Sequence, residues 1–238
     1  SGATRSTASG PAAAAAPTPR ETALAVLERA SRPFAAYTAI AGTQMTVVAE
    51  LSAASIQSGR WKDGADVEVV AAGPDGAPIA TARGRIDAGS FATAVRMPLE
   101  GGRVPARVTV RLKGAGAPLE DWMKIEDTPG TLIGDAVVYR SGSRVTLRPV
   151  AGFEFARNER IRVEWPALVA LDRREARLLD RHGKPLPVDL PLVEDPATHA
   201  IIVEMSLSGL PRGDYLIELA AGAGTVIERR LVALRIKP

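Results

Sequence analysis

The chain contains no cysteine, which excludes disulfides, thiol chemistry and cysteine-ligated zinc, while leaving the redox compartment open. Aromatic residues are 4% of the 238 positions, and there are two histidines. A core must therefore be built from Val, Ile, Leu and Ala. No apolar run approaches the ~20 residues a helix needs to cross a bilayer, so membrane insertion is not expected. A dominant charge sign is missing too: 30 basic residues face 27 acidic ones, for a formal net charge of +3. Five of the basic residues are lysine, and the rest are arginine. The longest basic runs, Arg173-Arg174 and Arg229-Arg230, each adjoin a glutamate. A nucleic-acid binder shows a basic face or stripe, and none is legible here.

Hydrophobic residues make up 46% of the chain, beside 22 glycines and 18 prolines. The apolar runs are short and rich in Val and Thr, which favours strands. Residues 1–19, SGATRSTASGPAAAAAPTP, are too small and polar to offset the entropy of ordering them. They read as a flexible linker, which implies a further segment before it. Thr18-Pro19-Arg20-Glu21 fits a capping box with proline at the first helical position. A short helix is expected over 20–32, its narrow stripe of Ala23, Leu24, Leu27 and Ala30 lying against a neighbouring domain.

From residue 36 the period becomes two. TQMTVVAEL, ADVEVVAAG, APIATARGRI, SFATAVRMPL and ARVTVRLKG read as strands, with Pro74-Asp75-Gly76 as a hairpin turn. The turn-rich stretch 118–134 breaks the pattern and reads as an interdomain linker. The alternation then restarts. Val145 and Leu147 are expected inward, with Arg144, Thr146 and Arg148 outward. Ile161, Val163 and Trp165 are likewise expected inward against Arg160, Arg162 and Glu164. Arg181-His182-Gly183-Lys184 reads as a hairpin turn. AVRMPLEGGRVPARVTVRLKGAG and IVEMSLSGLPRGDYLIELAAGAG share a strand, a Gly/Pro turn, a strand and a Gly-Ala-Gly exit, a faint internal repeat.

This gives an all-β fold class: two tandem immunoglobulin-like or fibronectin type III-like antiparallel sandwiches at 33–117 and 135–238, preceded by a short helix.

Residues with functional potential are few. Arg212-Gly213-Asp214 matches an adhesion tripeptide, but a turn explains it residue by residue. Pro211 sets φ, Gly213 frees the backbone, Asp214 bonds nearby amides, and Tyr215 opens a strand with Ile217 and Leu219 on its side. The tyrosine hydroxyl would bond back to the turn as a tyrosine corner. His182 and His199 fall in loops without metal-ligand spacing. Asp63 and Asp66 flank a glycine near Trp61 but lack a calcium-loop pattern. Asp172, Glu175 and Asp180 interleave with Arg173, Arg174, Arg177 and Arg181 as surface ion pairs. Trp165 belongs to the core and Trp122 is placed between the domains. Phe153 and Phe155 share a core face. No Gly-x-Ser-x-Gly elbow, phosphate loop, dinucleotide fingerprint or His-Glu-x-x-His occurs. No catalytic, cofactor-binding or metal residue is therefore assigned, no cofactor is expected, and contact residues are not named.

The layout ERIRVEWPA, ARLLDRHGKPLPVDLPL and LSGLPRGDYLIELAAGAGTVIERRLVALRI resembles the C-terminal region of bacterial secreted proteins that carry a von Willebrand factor A-related domain. ERASRPFAAYTAIAG and RWKDGADVEV resemble the module before it. The resemblance implies a secreted or cell-envelope protein with a scaffolding or adhesive role and a protein partner. The Asp-x-Ser-x-Ser metal motif of the von Willebrand A domain is absent, so no metal site is carried over. The expected function is a non-catalytic spacer and interaction region. The alternatives are a carbohydrate-binding module, marked by exposed aromatics, and an accessory domain of a secreted hydrolase.

Overall fold

The computed structural model describes residues 17–28, 32–125, 128–142 and 145–237. The expected linker 1–19 lies outside them up to residue 16.

The first sandwich is made of β1 (Phe34–Ala41), β2 (Gln44–Leu51), β3 (Ala65–Ala72), β4 (Pro78–Ile86), β5 (Ala92–Pro98), β6 (Arg107–Lys113) and β7 (Leu119–Lys124). One sheet has the order β1-β2-β5 and the other β4-β3-β6-β7. The fourth strand thus pairs with the third, as in fibronectin type III domains, and not with the fifth, as in constant-type immunoglobulin domains. Alternation explains the core: Val67 and Val69 on β3 and Val108, Val110 and Leu112 on β6 face Met45, Val47 and Met97 of the other sheet. Each such side chain contributes roughly 1.5–3 kcal/mol by burial. Trp61 closes one end of this core. A Cβ on Gly114 would meet the Trp61 ring at 2.6 Å, so the strand exit needs a residue without a side chain there. The β3–β4 turn forms as expected, with Gly76 at φ 81° and the Asp75 carboxylate accepting from the Ala77 amide.

Residues 118–134, expected as a linker, open with β7, which pairs with β6 in regular register. The strand was hidden because its polarity is inverted at two positions. Asp121 points inward and is paired with Arg32, while Trp122 points outward.

The second sandwich holds β8 (Val137–Gly142), β9 (Val145–Pro149), β10 (Glu154–Ala156), β11 (Arg160–Pro166), β12 (Arg173–Asp180), β13 (Leu192–Asp195), β14 (Ala200–Ser206), β15 (Gly213–Ala223) and β16 (Val226–Lys237). Its sheets are β13-β14-β11-β8-β9 and β10-β16-β15-β12. Here β8, β11, β14 and β13 follow the immunoglobulin A-B-E-D order, and β12, β15 and β16 the C-F-G order. β10 pairs parallel to the end of β16 for three residues. Ile161, Val163 and Trp165 are buried as their alternation requires. The β9 expectation is corrected. Leu147 is exposed and Arg148 turns toward the first sandwich, its guanidinium 6.0 Å from the Phe91 ring. The face of β9 that carries Arg148 borders the first sandwich, and the face that carries Leu147 meets solvent. Arg144, Val145 and Thr146 lie outside the described side chains. The 181–184 turn forms, but its return leg is a single bridge, Leu179 to Pro185.

Helix α1 (Pro19–Ala25) carries the full capping box between Thr18 and Glu21 and runs into a 3-10 turn, Val26–Glu28. It packs on the second sandwich, where Leu27 joins the core and Arg235 donates to the Leu27 carbonyl at 3.0 Å. Residues 19–28 therefore pack on the second sandwich, although in sequence they precede the first.

Two substitutions measure this core. Trp165→Ala, at a fully buried site, should cost about 3–5 kcal/mol in urea unfolding. Tyr215→Phe should cost about 1 kcal/mol through loss of one hydrogen bond.

Candidate functional site at the domain junction

Strand β2 carries apolar residues on one face and a single one, Val48, on the other. Met45, Val47 and Ala49 enter the first core, whereas Val48 on the opposite face clusters with Ala39, Val137 and Ala151. The second sandwich covers this face. At its margin the Glu50 carboxylate, only 13% exposed, accepts from the amides of Ala151 and Gly152, both at 2.9 Å. Arg140 Nε reaches the same carboxylate at 3.4 Å and ties it to Glu159 at 2.6 Å and the Glu154 carbonyl at 2.9 Å. A second clamp links Ile40 and Asp135. The Asp135 amide donates to the Ile40 carbonyl at 2.8 Å, and the Ile40 amide donates to Asp135 Oδ2 at 2.9 Å. Tyr37 and Phe153 meet edge to face at 4.9 Å. Gly134 sits where a Cβ would lie 2.5 Å from Ala41 Cβ, so the approach of the two sandwiches requires glycine.

Beside this joint lies a cleft of about 310 Å³. One wall is residues 229–233 of β16, another is Tyr37, Thr38 and Ile40 of β1, and α1 forms a third. Trp165 and Phe153 line it from the second core. Its charged lining is Lys124, Asp135, Arg229 and Arg230. Arg230 contacts Asp135 at 3.4 Å and Glu228 at 3.0 Å. Burial pushes the Glu228 carboxyl up, but the amides of Leu132 and Thr131 and the Arg230 cation pull it lower, and the net shift is downward. The lining is mixed in polarity and contains no histidine. It offers main-chain groups, apolar walls and a basic rim.

The structure disperses the residues singled out from the sequence. Tyr215 Oη donates to the Pro211 carbonyl at 2.8 Å, so the tyrosine corner is present. The Asp214 carboxylate bonds not to turn amides but to Arg235, at 2.7 and 3.1 Å. Arg235 also pairs with Glu28 at 2.8 Å, so the adhesion-like tripeptide helps hold α1. His182 and His199 are exposed in separate turns. Asp66 pairs with Arg85 at 2.6 Å. Among the described residues no group of three His, Asp or Glu is placed to hold a metal ion. Surface pairing holds for Asp172 with Arg173, Glu175 with Arg177 and Arg174 with Glu194. Asp180 instead accepts from the amides of His182 and Lys184 across its turn. Phe153 and Phe155 are buried as expected. Trp122 is not between the domains: it is 53% exposed on β7, with Arg107 stacked 4.5 Å from the ring centroid.

Sequence reading missed Glu50, Asp135 and Arg235. The available signal was the adjacent pair Val47-Val48 in VVAEL, which puts an apolar side chain on each face of the strand, with Glu50 on the face of Val48. Such a strand needs cover on both sides, and a charge there needs a partner from the covering element.

No protein-family model matches the chain. No curated protein matches it either. Among solved structures, a titin fragment is similar at 12% identity over 83% of this chain and 92% of its own, with TM-score 0.26. A tandem pair of titin Ig domains gives 9% identity over 82% and 89%, TM-score 0.25. A marsupial T cell receptor gives 10% identity over 86% and 73%, TM-score 0.28. At these scores the sandwich assignment rests on the strand pairings above, not on the likeness.

Glu50→Ala leaves the amides of Ala151 and Gly152 without their acceptor and removes one of the carboxylates that Arg140 meets, and should lower stability by about 2–4 kcal/mol in urea unfolding. Arg235 hydrogen bonding holds the Asp214 carboxyl below its usual range, more than offsetting burial. A depressed carboxylate contributes stability above its unfolded pKa and loses it as pH falls through the folded value. The deficit of Asp214→Asn against the parent chain should thus be constant above about pH 5 and shrink toward zero in acid. Unfolding midpoints measured from pH 7 to pH 2 check this.

Proposed function

We propose that the chain is a rigid, non-catalytic spacer and protein-interaction region of an exported bacterial protein, C-terminal to a von Willebrand factor A-type domain. The observation that carries the rigid-spacer half is the joint. A flexible linker between sandwiches would leave the outer face of β2 exposed, yet Val48 is fully buried against the second domain. Glu50 and Asp135 add directional bonds that accept one relative orientation. Export and the neighbouring domain are supported by the sequence resemblance. The contact role is supported by apolar side chains left on loops and edges, Val193 on β13 and Val226 and Ile227 at the β15–β16 turn. A carbohydrate platform needs several exposed aromatics, and Trp61 and Trp165 are both inside.

The absence of native cysteine makes a distance measurement clean. Spin labels on Glu100→Cys and Arg181→Cys, one in each sandwich, should give a single narrow distance distribution. Adding Glu50→Ala should broaden it. A broad distribution in the labelled parent would overturn the spacer reading.

A further inference from the structure

We propose that the free edge of β16 in the junction cleft accepts an extended peptide strand from a partner protein, joined by main-chain hydrogen bonds as a continuation of β10. The proposal rests on the reading of the chain as an interaction region and names the surface and the chemistry of the partner.

The geometry follows from the ladder. The Arg235 amide donates to the Phe153 carbonyl at 2.9 Å, away from β15 and toward β10. The β15–β16 register runs without a shift from Ala223–Val226 to Gly213–Ile236. Main-chain direction alternates along an antiparallel strand. Ala233, Leu231 and Arg229 therefore turn their N–H and C=O groups to the same side as Arg235. β10 ends its pairing at Arg235, and among the described residues these three meet no main-chain partner on that side. All three line the cleft.

The opposite wall is also a strand edge. The amide and carbonyl of Ile40 turn away from β2 to Asp135. Thr38, two residues earlier, turns the same way and lines the cleft.

Proteins blunt exposed edges with proline, charged side chains, bulges or a covering helix. The span 226–236 of β16 contains no proline or bulge, and between Arg230 and Arg235 its residues are apolar, Leu231 to Leu234. Strand addition to such an edge draws affinity from the main chain and specificity from alternate side chains. Here one set would meet the half-buried Ala23, Val26 and Tyr37 in a cleft of about 310 Å³, favouring small apolar residues. Arg229 stands exposed at the mouth, its nearest carboxylate Glu218 at 4.0 Å, and favours an acidic residue at one end. The partner is thus an extended segment of alternating small apolar residues flanked by Asp or Glu.

The test uses the full chain and an array of octapeptides with Ala, Val, Ile or Thr at alternate positions and Asp or Glu at one end. Binding peptides should slow hydrogen exchange at the amides of Arg229, Leu231 and Ala233. Leu231→Pro removes one outward N–H and spares the ladder to β15. It should weaken those peptides about two- to tenfold, the range for one net hydrogen bond. The proposal is overturned if no array peptide changes exchange at these amides, or if Leu231→Pro binds them as the parent does. Slow exchange at the three amides in the free chain would also overturn it and assign the edge to a segment of the chain itself. Any of these results beside a narrow interspin distance would leave the spacer reading standing.

Discussion

The outer face of β2 is the constraint on which the arrangement of the molecule depends. A three-stranded sheet with apolar residues on both sides is not a stable surface in water, and Val48 and Ala39 need cover as much as Val47 and Met45 do. The second sandwich supplies it. Once that face is covered, Glu50 at its margin is drawn out of water, and a buried carboxylate is costly unless fully bonded. Ala151, Gly152 and Arg140 meet the requirement. Burial thus sets the need for the joint, and hydrogen bonds set its angle.

The two sandwiches solve their edges differently, and the cleft is the consequence. In the first, β1 is the outer strand of its sheet, and the move of the fourth strand to the sheet of the third makes β5 the other edge. In the second, the short β10 pairs with only the last three residues of β16, and among the described residues Arg229, Leu231 and Ala233 meet no main-chain partner on that edge. The joint brings the two edges to opposite walls of one cavity, with α1 alongside. A recess lined by main-chain groups arises here from incomplete pairing, without any dedicated loop.

Arg235 illustrates how a surface-looking motif becomes structural. It gathers Asp214, Glu28 and the Leu27 carbonyl, and so connects the β14–β15 corner to the helix more than two hundred residues earlier in the chain. Tyr215 fixes the same corner through Pro211. The tripeptide's aspartate is thus held in an ion pair, and the tyrosine that follows it holds the corner.

Wherever a strand has one wet face and one dry face, alternation made it legible: Val67 and Val69, Ile161 to Trp165, and the strand that begins at Tyr215. The turns at Gly76 and Gly183 and the capping box at Thr18 were legible for a related reason, since each is set by the conformational limits of a few adjacent residues. β7 and β9 were misread where a partner inverts the pattern: Asp121 turns inward to meet Arg32, and Arg148 turns toward Phe91. The cleft was not legible at all, because it forms where the edges of strands far apart in the chain come together. The sequence by itself determined the all-β class, most strands and the corner at Tyr215, since these follow from local periodicity and backbone sterics. Only tertiary structure decided which sheet covers β2, where α1 docks and which edges stay open, because those depend on surfaces that exist only after each sandwich has closed.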